Sequence, residues 1–115
     1  NEDKNLLLSL CDMFGGLEVI EKARKKFSGV ELINDHLDHL SEMSDRLKDK
    51  DINLHIDLGE VQGFKYHNGL VFSAYTDSAG HILAKGGRYD GLRKSSDQDR
   101  PAVGFDLDLI AVSNL

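Results

Sequence analysis

Leu6, Leu7, Leu10, Cys11 and Phe14 recur at helical spacing until Gly15 and Gly16 interrupt the run, which predicts a short amphipathic helix. Leu17, Ile20, Ala23, Arg24 and Phe27 predict a second helix ending at Ser28-Gly29. Leu32, Ile33, Leu37, Leu40, Met43 and Leu47 trace a third and longer one. Cys11 falls on the apolar side of the first helix, so a buried, inert thiol is expected there. From Ile52 onward the period changes from helical to extended. Leu54 and Ile56 alternate with His55 in a strand from Ile52 to Asp57, and Leu70 to Thr76 is dense in β-branched and aromatic residues. Asp77-Ser-Ala-Gly80 is a turn cluster leading into His81-Ile-Leu-Ala84, which reads as a hairpin.

The expected fold class is α+β: an antiparallel sheet of about four strands, near 52–58, 67–76, 81–88 and 102–107, with helices packed on it. The composition shift near Asp51 marks a boundary between a helical subdomain, 1–51, and a β core, 52–115. Asp49-Lys-Asp51 is too short to be a flexible linker, and helices and sheet need each other for cover. Residues 93–100 are all polar before Pro101 and are expected to form a mobile loop.

A chain of 115 residues supports one modest core. Its 14 Lys and Arg against 20 Asp and Glu give a formal charge of −6, which disfavours polyanion partners. The single basic run, Lys22 to Lys26, sits on the second helix beside Glu18 and Glu21 and reads as a solvated face, so no nucleic-acid partner is expected. One cysteine excludes an intramolecular disulfide. No apolar run approaches the ~18 residues that would span a bilayer, so no membrane partner is expected and the cytoplasm is the expected compartment.

The candidate chemistry lies between Asp57 and Asp108. Gly59 and Gly63 precede one strand of the hairpin region and Gly86 and Gly87 follow the other, a placement that suits either close backbone approach to a small ligand or simple bulges and turns. His36 and His39, three apart on the third helix, lack a third and fourth convergent ligand, so no metal is expected. His55 is read as solvent-facing or hydrogen-bonded.

Gln62-Gly-Phe-Lys-Tyr-His-Asn-Gly69 resembles the Arg-Gly-Leu-Asp-Tyr-Tyr-x-Gly motif of histidyl-tRNA synthetases. Gly86-Gly-Arg-Tyr-Asp-Gly-Leu92 is similar, residue for residue, to their second histidine-recognition motif. Pro101-Ala-Val-Gly-Phe-Asp-Leu-Asp-Leu109 resembles the third motif of class II synthetases, a strand running into a helix. The likeness covers residues 30–115 and implies a partial class II synthetase-like core with an antiparallel sheet. Two departures separate this chain from the synthetases. Gln62 stands where the first motif begins with arginine, and Asp108-Leu-Ile-Ala111 replaces a Gly-Leu-Glu-Arg segment. A guanidinium offers a planar, permanently charged fork to phosphate oxygens that neither an amide nor a methyl replaces. The pattern therefore resembles the ATP phosphoribosyltransferase regulatory subunit family, synthetase-like proteins of histidine biosynthesis. A divergent histidyl-tRNA synthetase fragment is the alternative, and a synthetase-like module with another role, such as sensing uncharged tRNA, is a third.

That resemblance implies no catalytic residue in this chain and no cofactor. It implies a short-form catalytic ATP phosphoribosyltransferase as partner, histidine as small-molecule effector, and histidine contacts from Tyr66, His67, Gly86, Gly87 and Tyr89, with Arg88 and Asp90 in support. A phenol or imidazole can hydrogen-bond a ring nitrogen, and a tyrosine face can pack on the ring. Arg88 and Asp90 also fit a salt bridge bracing the hairpin. The first and second class II motifs are not found, which reads as a fragment. Such a fragment is expected to fold, to self-associate through an uncovered strand, and to hold histidine weakly.

Overall fold

The computed structural model describes residues 2–60, 69–77, 80–90 and 101–115. The chain divides into two compact units, Asn1–Val61 and Gln62–Leu115.

In the first unit, α1 (Glu2–Leu8) tightens into a 3-10 turn over Ser9–Asp12, and β1 (Phe14–Gly15) follows. The predicted first helix thus ends earlier than its apolar spacing suggests. The change of helical phase turns Cys11 outward: it is an exposed free thiol, not the buried one expected. Phe14, now in a strand, is 60% exposed. Gly15 has φ +147, and an added Cβ would lie 2.8 Å from Oε1 of Glu18. That conformation admits the sharp entry to α2 (Glu18–Lys26), where the Glu18 carboxylate accepts the Gly16 N–H at 3.0 Å. Acidic residues in the first turn of α2 and Arg24, Lys25 and Lys26 in its last turn complement the helix dipole.

α3 (Glu31–Leu47) begins four residues after Phe27, past the break at Gly29. The Asn34 amide Nδ2 donates to the Phe27 carbonyl at 2.7 Å and to the Val30 carbonyl at 2.9 Å, tying the end of α2 to the start of α3. Arg24 adds an ion pair to Asp38 at 2.6 Å. The core consists of Met13, Val19, Ile20, Ala23, Phe27, Leu37 and Ile56, with Leu6, Leu10, Val30, Ile33, Leu40 and Leu58 packed on it. Phe27 and Leu37 are its fully buried large side chains. Ser44 is buried as well, its hydroxyl satisfied by the Leu40 carbonyl at 2.8 Å.

Ile56 joins this core because β2 (Ile56–Asp57) pairs antiparallel with β1, Phe14 opposite Asp57 and Gly15 opposite Ile56. Residues 52–58 were expected as a strand of the main sheet. Of these, only Ile56–Asp57 form a strand, in a short ribbon with β1 inside the helical unit, ahead of the boundary after Val61. Burial of Ile56 and Leu58 against the helices decides this, together with the Leu58 N–H bond to the Met13 carbonyl at 3.0 Å. Gly59 completes the ribbon. A Cβ there would stand 2.7 Å from the Cys11 Cα, so its close approach is to the protein's own backbone.

The second unit holds a three-stranded antiparallel sheet in sequence order, β3 (Val71–Ala74), β4 (Ala84–Asp90) and β5 (Pro101–Leu107), followed by α4 (Leu109–Ser113). Val71 faces Gly87 and Ala74 faces Ala84 across the first ladder. Ala84 faces Leu107 and Asp90 faces Pro101 across the second. The expected hairpin and third-motif strand are therefore present as neighbours, with β4 in the centre. Gly80, at φ +62, supplies the left-handed turn residue between β3 and β4. Asp108 starts α4, its carboxylate accepting the Ala111 N–H at 2.9 Å while its own N–H donates to the Leu83 carbonyl at 2.8 Å.

Candidate histidine-type recognition strand

Every predicted site residue of the second motif up to Asp90 falls on β4, and strand alternation divides them between two faces. Gly87 and Tyr89 share one face with Lys85. Gly86, Arg88 and Asp90 share the other. Tyr66 and His67, like Gln62, lie outside the described residues, as does the polar segment 93–100.

On the Tyr89 face, the register sets Gly87 against Gly104, Tyr89 against Ala102 and Lys85 against Asp106 on β5, with Val71 and Ser73 on β3 beside Gly87 and Lys85. The tyrosine leans along this face toward the glycine rung. A Cβ at Gly104 would come within 3.1 Å of the Tyr89 hydroxyl and 3.2 Å of its Cε1. The facing glycines thus make room for the Tyr89 ring itself, which lies over Gly104, with Lys85 and Asp106 opposed one rung further along the same face. Lys85 and Tyr89 are half-buried and Asp106 is exposed.

On the opposite face, Arg88 and Asp90 are joined, Nε to Oδ2 at 3.2 Å. The stem of Arg88 lies against Gly69, whose added Cβ would be 3.2 Å from the Arg88 Cβ, and its N–H donates to the Leu70 carbonyl at 2.8 Å. These contacts brace the sheet. Gly86 is buried opposite both Phe72 and Phe105, and an added Cβ would stand 2.7 Å from the Phe105 Cβ and would collide with the Gly104 carbonyl. The protein's own packing therefore already requires a glycine at 86.

Lys85, Gly104, Asp106 and Ser73 were missed as members of the Tyr89 face. Lys85 could have been found, since it lies four residues before Tyr89 and so shares its parity. The β5 residues depend on a register that no local pattern sets. In the α4 segment, Ala111 is buried and offers only a methyl where an arginine would stand in the synthetase motif. His36 and His39 are both exposed on α3, with ring centroids 6.4 Å apart. Among the described residues no group of three or more His, Cys, Asp or Glu gathers to hold a metal ion, and no helix is long and apolar enough to cross a membrane.

The histidyl-tRNA synthetase family model matches residues 1–112. Over 113 residues the chain is 37% identical to an ATP phosphoribosyltransferase regulatory subunit of Cupriavidus metallidurans, a match covering 98% of this chain and 29% of that protein. A regulatory subunit of the same name from Hahella chejuensis is 38% identical over 108 residues, 92% of this chain and 27% of that one. The chain therefore spans under a third of the length of these curated relatives. A crystal structure of an ATP phosphoribosyltransferase regulatory subunit/histidyl-tRNA synthetase from Bacillus halodurans C superposes with a TM-score of 0.77 at 30% identity, over 96% of this chain and 30% of that one. The helices and antiparallel sheets accordingly correspond to part of a class II synthetase-like core. By the extent of these matches the chain belongs to the histidyl-tRNA synthetase family, and the relatives it resembles are ATP phosphoribosyltransferase regulatory subunits.

Proposed function

We propose that this protein acts as a non-catalytic regulatory subunit of ATP phosphoribosyltransferase, in the first step of histidine biosynthesis, and that it senses histidine for feedback control. The observation that carries this is the 37% identity over 98% of the chain to proteins of that name. The buried Ala111 methyl supports it, since the segment that would carry a phosphate-handling arginine has no cation there. The partner is a short-form catalytic subunit that condenses ATP with phosphoribosyl pyrophosphate, and all bond-making belongs to that partner. Histidine binds through Tyr89 and Gly87 on one face of β4, with Tyr66 and His67 of the first motif, while Gly86, Arg88 and Asp90 hold the strand. Feedback then requires histidine to favour one assembly state over another by a coupling of about 1–3 kcal/mol. The complex works in the cytoplasm. Self-association is supported by β5, an edge strand among the described residues, where Val103 and Phe105 are 73% and 70% exposed.

Reconstitution tests the proposal. The protein expressed from its complete reading frame should raise the ATP- and phosphoribosyl pyrophosphate-dependent rate of a purified short-form transferase, and histidine should reverse the effect. A transferase rate unaffected by the protein would exclude the regulatory role. In calorimetry, Tyr89→Phe should weaken histidine binding by about 1–3 kcal/mol if its hydroxyl donates to or accepts from the ligand. Equal affinities would remove that hydroxyl from the site.

A further inference from the structure

His36 and His39 lie one helical turn apart near the middle of α3, so their imidazoles are neighbours on one side of the helix. Both residues are exposed, and the ring centroids stand 6.4 Å apart with the ring planes at 65°. The core takes Leu37 and Leu40 from this helix and buries Ser44, so neither histidine is held by the packing of the helical unit. The acidic neighbours differ in their commitments. Asp38 is paired with Arg24 and Glu42 with Arg46, both at 2.6 Å. Asp35, exposed and one turn before His39, makes no ion pair among the described residues.

We propose that His36 and His39 form a two-point site for an exchangeable divalent cation of the zinc and copper class, both imidazoles ligating one ion whose remaining positions are filled by water. A resident structural ion needs a closed shell of about four protein ligands, which α3 does not offer. An ion that exchanges with solvent does not need one. The spacing fits two-point ligation. With metal–nitrogen bonds of about 2.0–2.1 Å, two imidazoles on one tetrahedral ion have centroids about 5 Å apart. The observed 6.4 Å closes to that value by rotation of two exposed side chains about their own bonds, with no movement of the helix. Imidazole nitrogen selects zinc, copper or nickel over the oxygen-preferring magnesium and calcium. Asp35 adds two things: its charge favours a cation beside it, and its carboxylate is placed one turn from His39 to accept the ring N–H that a ligating imidazole leaves free. The site belongs wholly to the first unit and is independent of the histidine-binding reading above.

The test titrates zinc chloride into the protein expressed from its complete reading frame, in a buffer that does not bind the metal, with excess magnesium present. Calorimetry should show one zinc equivalent per chain that magnesium does not displace. His36→Gln and His39→Gln should each weaken that equivalent at least about tenfold. The double variant should add less than either single change, because the chelate is lost with the first ring, whichever it is. His81→Gln, at an exposed histidine of the second unit, should leave the equivalent unchanged. Zinc binding unaffected by His36→Gln or by His39→Gln overturns the inference, as does an equal loss with His81→Gln. A second readout needs no variant: the ring-proton resonances of His36 and His39 should both move in the nuclear magnetic resonance spectrum as zinc is added. Movement of only one of them, or of neither, overturns the two-point site.

Discussion

Replacing Gly86 by alanine isolates what the central strand's packing demands. The new methyl would stand 2.7 Å from the Phe105 Cβ and 2.8 Å from its Cα, and would also collide with the Gly104 carbonyl. Carbon atoms in ordinary contact are about 3.5–4.0 Å apart. Two of the three obstacles are backbone atoms of β5, so no rotamer change relieves them and the ladder itself must open by several tenths of an ångström. Overpacking of this kind costs about 1–3 kcal/mol. Against it stands the gain from restricting the unfolded chain, about 0.4–1 kcal/mol for glycine to alanine, which leaves a net loss of about 1–2 kcal/mol. Gly29→Ala provides the opposite sign: nothing lies within 4 Å of its added Cβ, and it should gain the unfolded-state term. The probes separate the two units. Tyr66, Tyr75 and Tyr89 all lie within Gln62–Leu115, whereas α2 and α3 dominate the far-ultraviolet helical signal of the first unit. With a urea slope of about 1 kcal/mol per molar at the low end for small proteins, Gly86→Ala should lower the tyrosine-reported midpoint by about 1–2 M. A tyrosine-reported midpoint unchanged by Gly86→Ala would show that β5 does not press on Gly86 as described, and would return the glycine to a role toward ligand alone.

Three further outcomes are expected. Phe27→Ala, at a fully buried site, should cost about 3–5 kcal/mol in the helical transition followed at 222 nm; a loss under about 1 kcal/mol would mean that the α2–α3 core is looser than described. Asn34→Ala should cost about 1–2 kcal/mol in the same transition by releasing the Phe27 and Val30 carbonyls, and Asn34→Asp, an acceptor in the same place, should fail to restore it. Histidine-dependent pyrophosphate exchange should stay at background, because Gln62 and Ala111 stand where phosphate-handling arginines are expected; measurable histidyl-adenylate formation would restore the synthetase alternative.

Periodicity alone placed the second and third helices, because the residues that bury them, Val19, Ile20, Ala23, Phe27 and Leu37, repeat at a spacing set by the helix itself. Turn chemistry at Asp77 to Gly80 likewise announced the hairpin, whose second strand, β4, carries the motif residues Gly86 to Asp90. Pairing was beyond the reach of such signals, since backbone hydrogen bonds join residues far apart in the chain regardless of their side chains. Tertiary structure decided that Ile56 and Asp57 pair with Phe14 and Gly15, not with the main sheet. The fate of Cys11 was decided in the same way: a helix that tightens after Leu8 rotates the residues beyond it, and the apolar stripe loses its phase. The candidate site followed this rule too. Tyr89 was legible as an aromatic in a motif, but its companionship with Gly104 and Asp106, and its separation from Gly86, Arg88 and Asp90, arise from the antiparallel register of β4 with β5 and the twofold alternation of a strand.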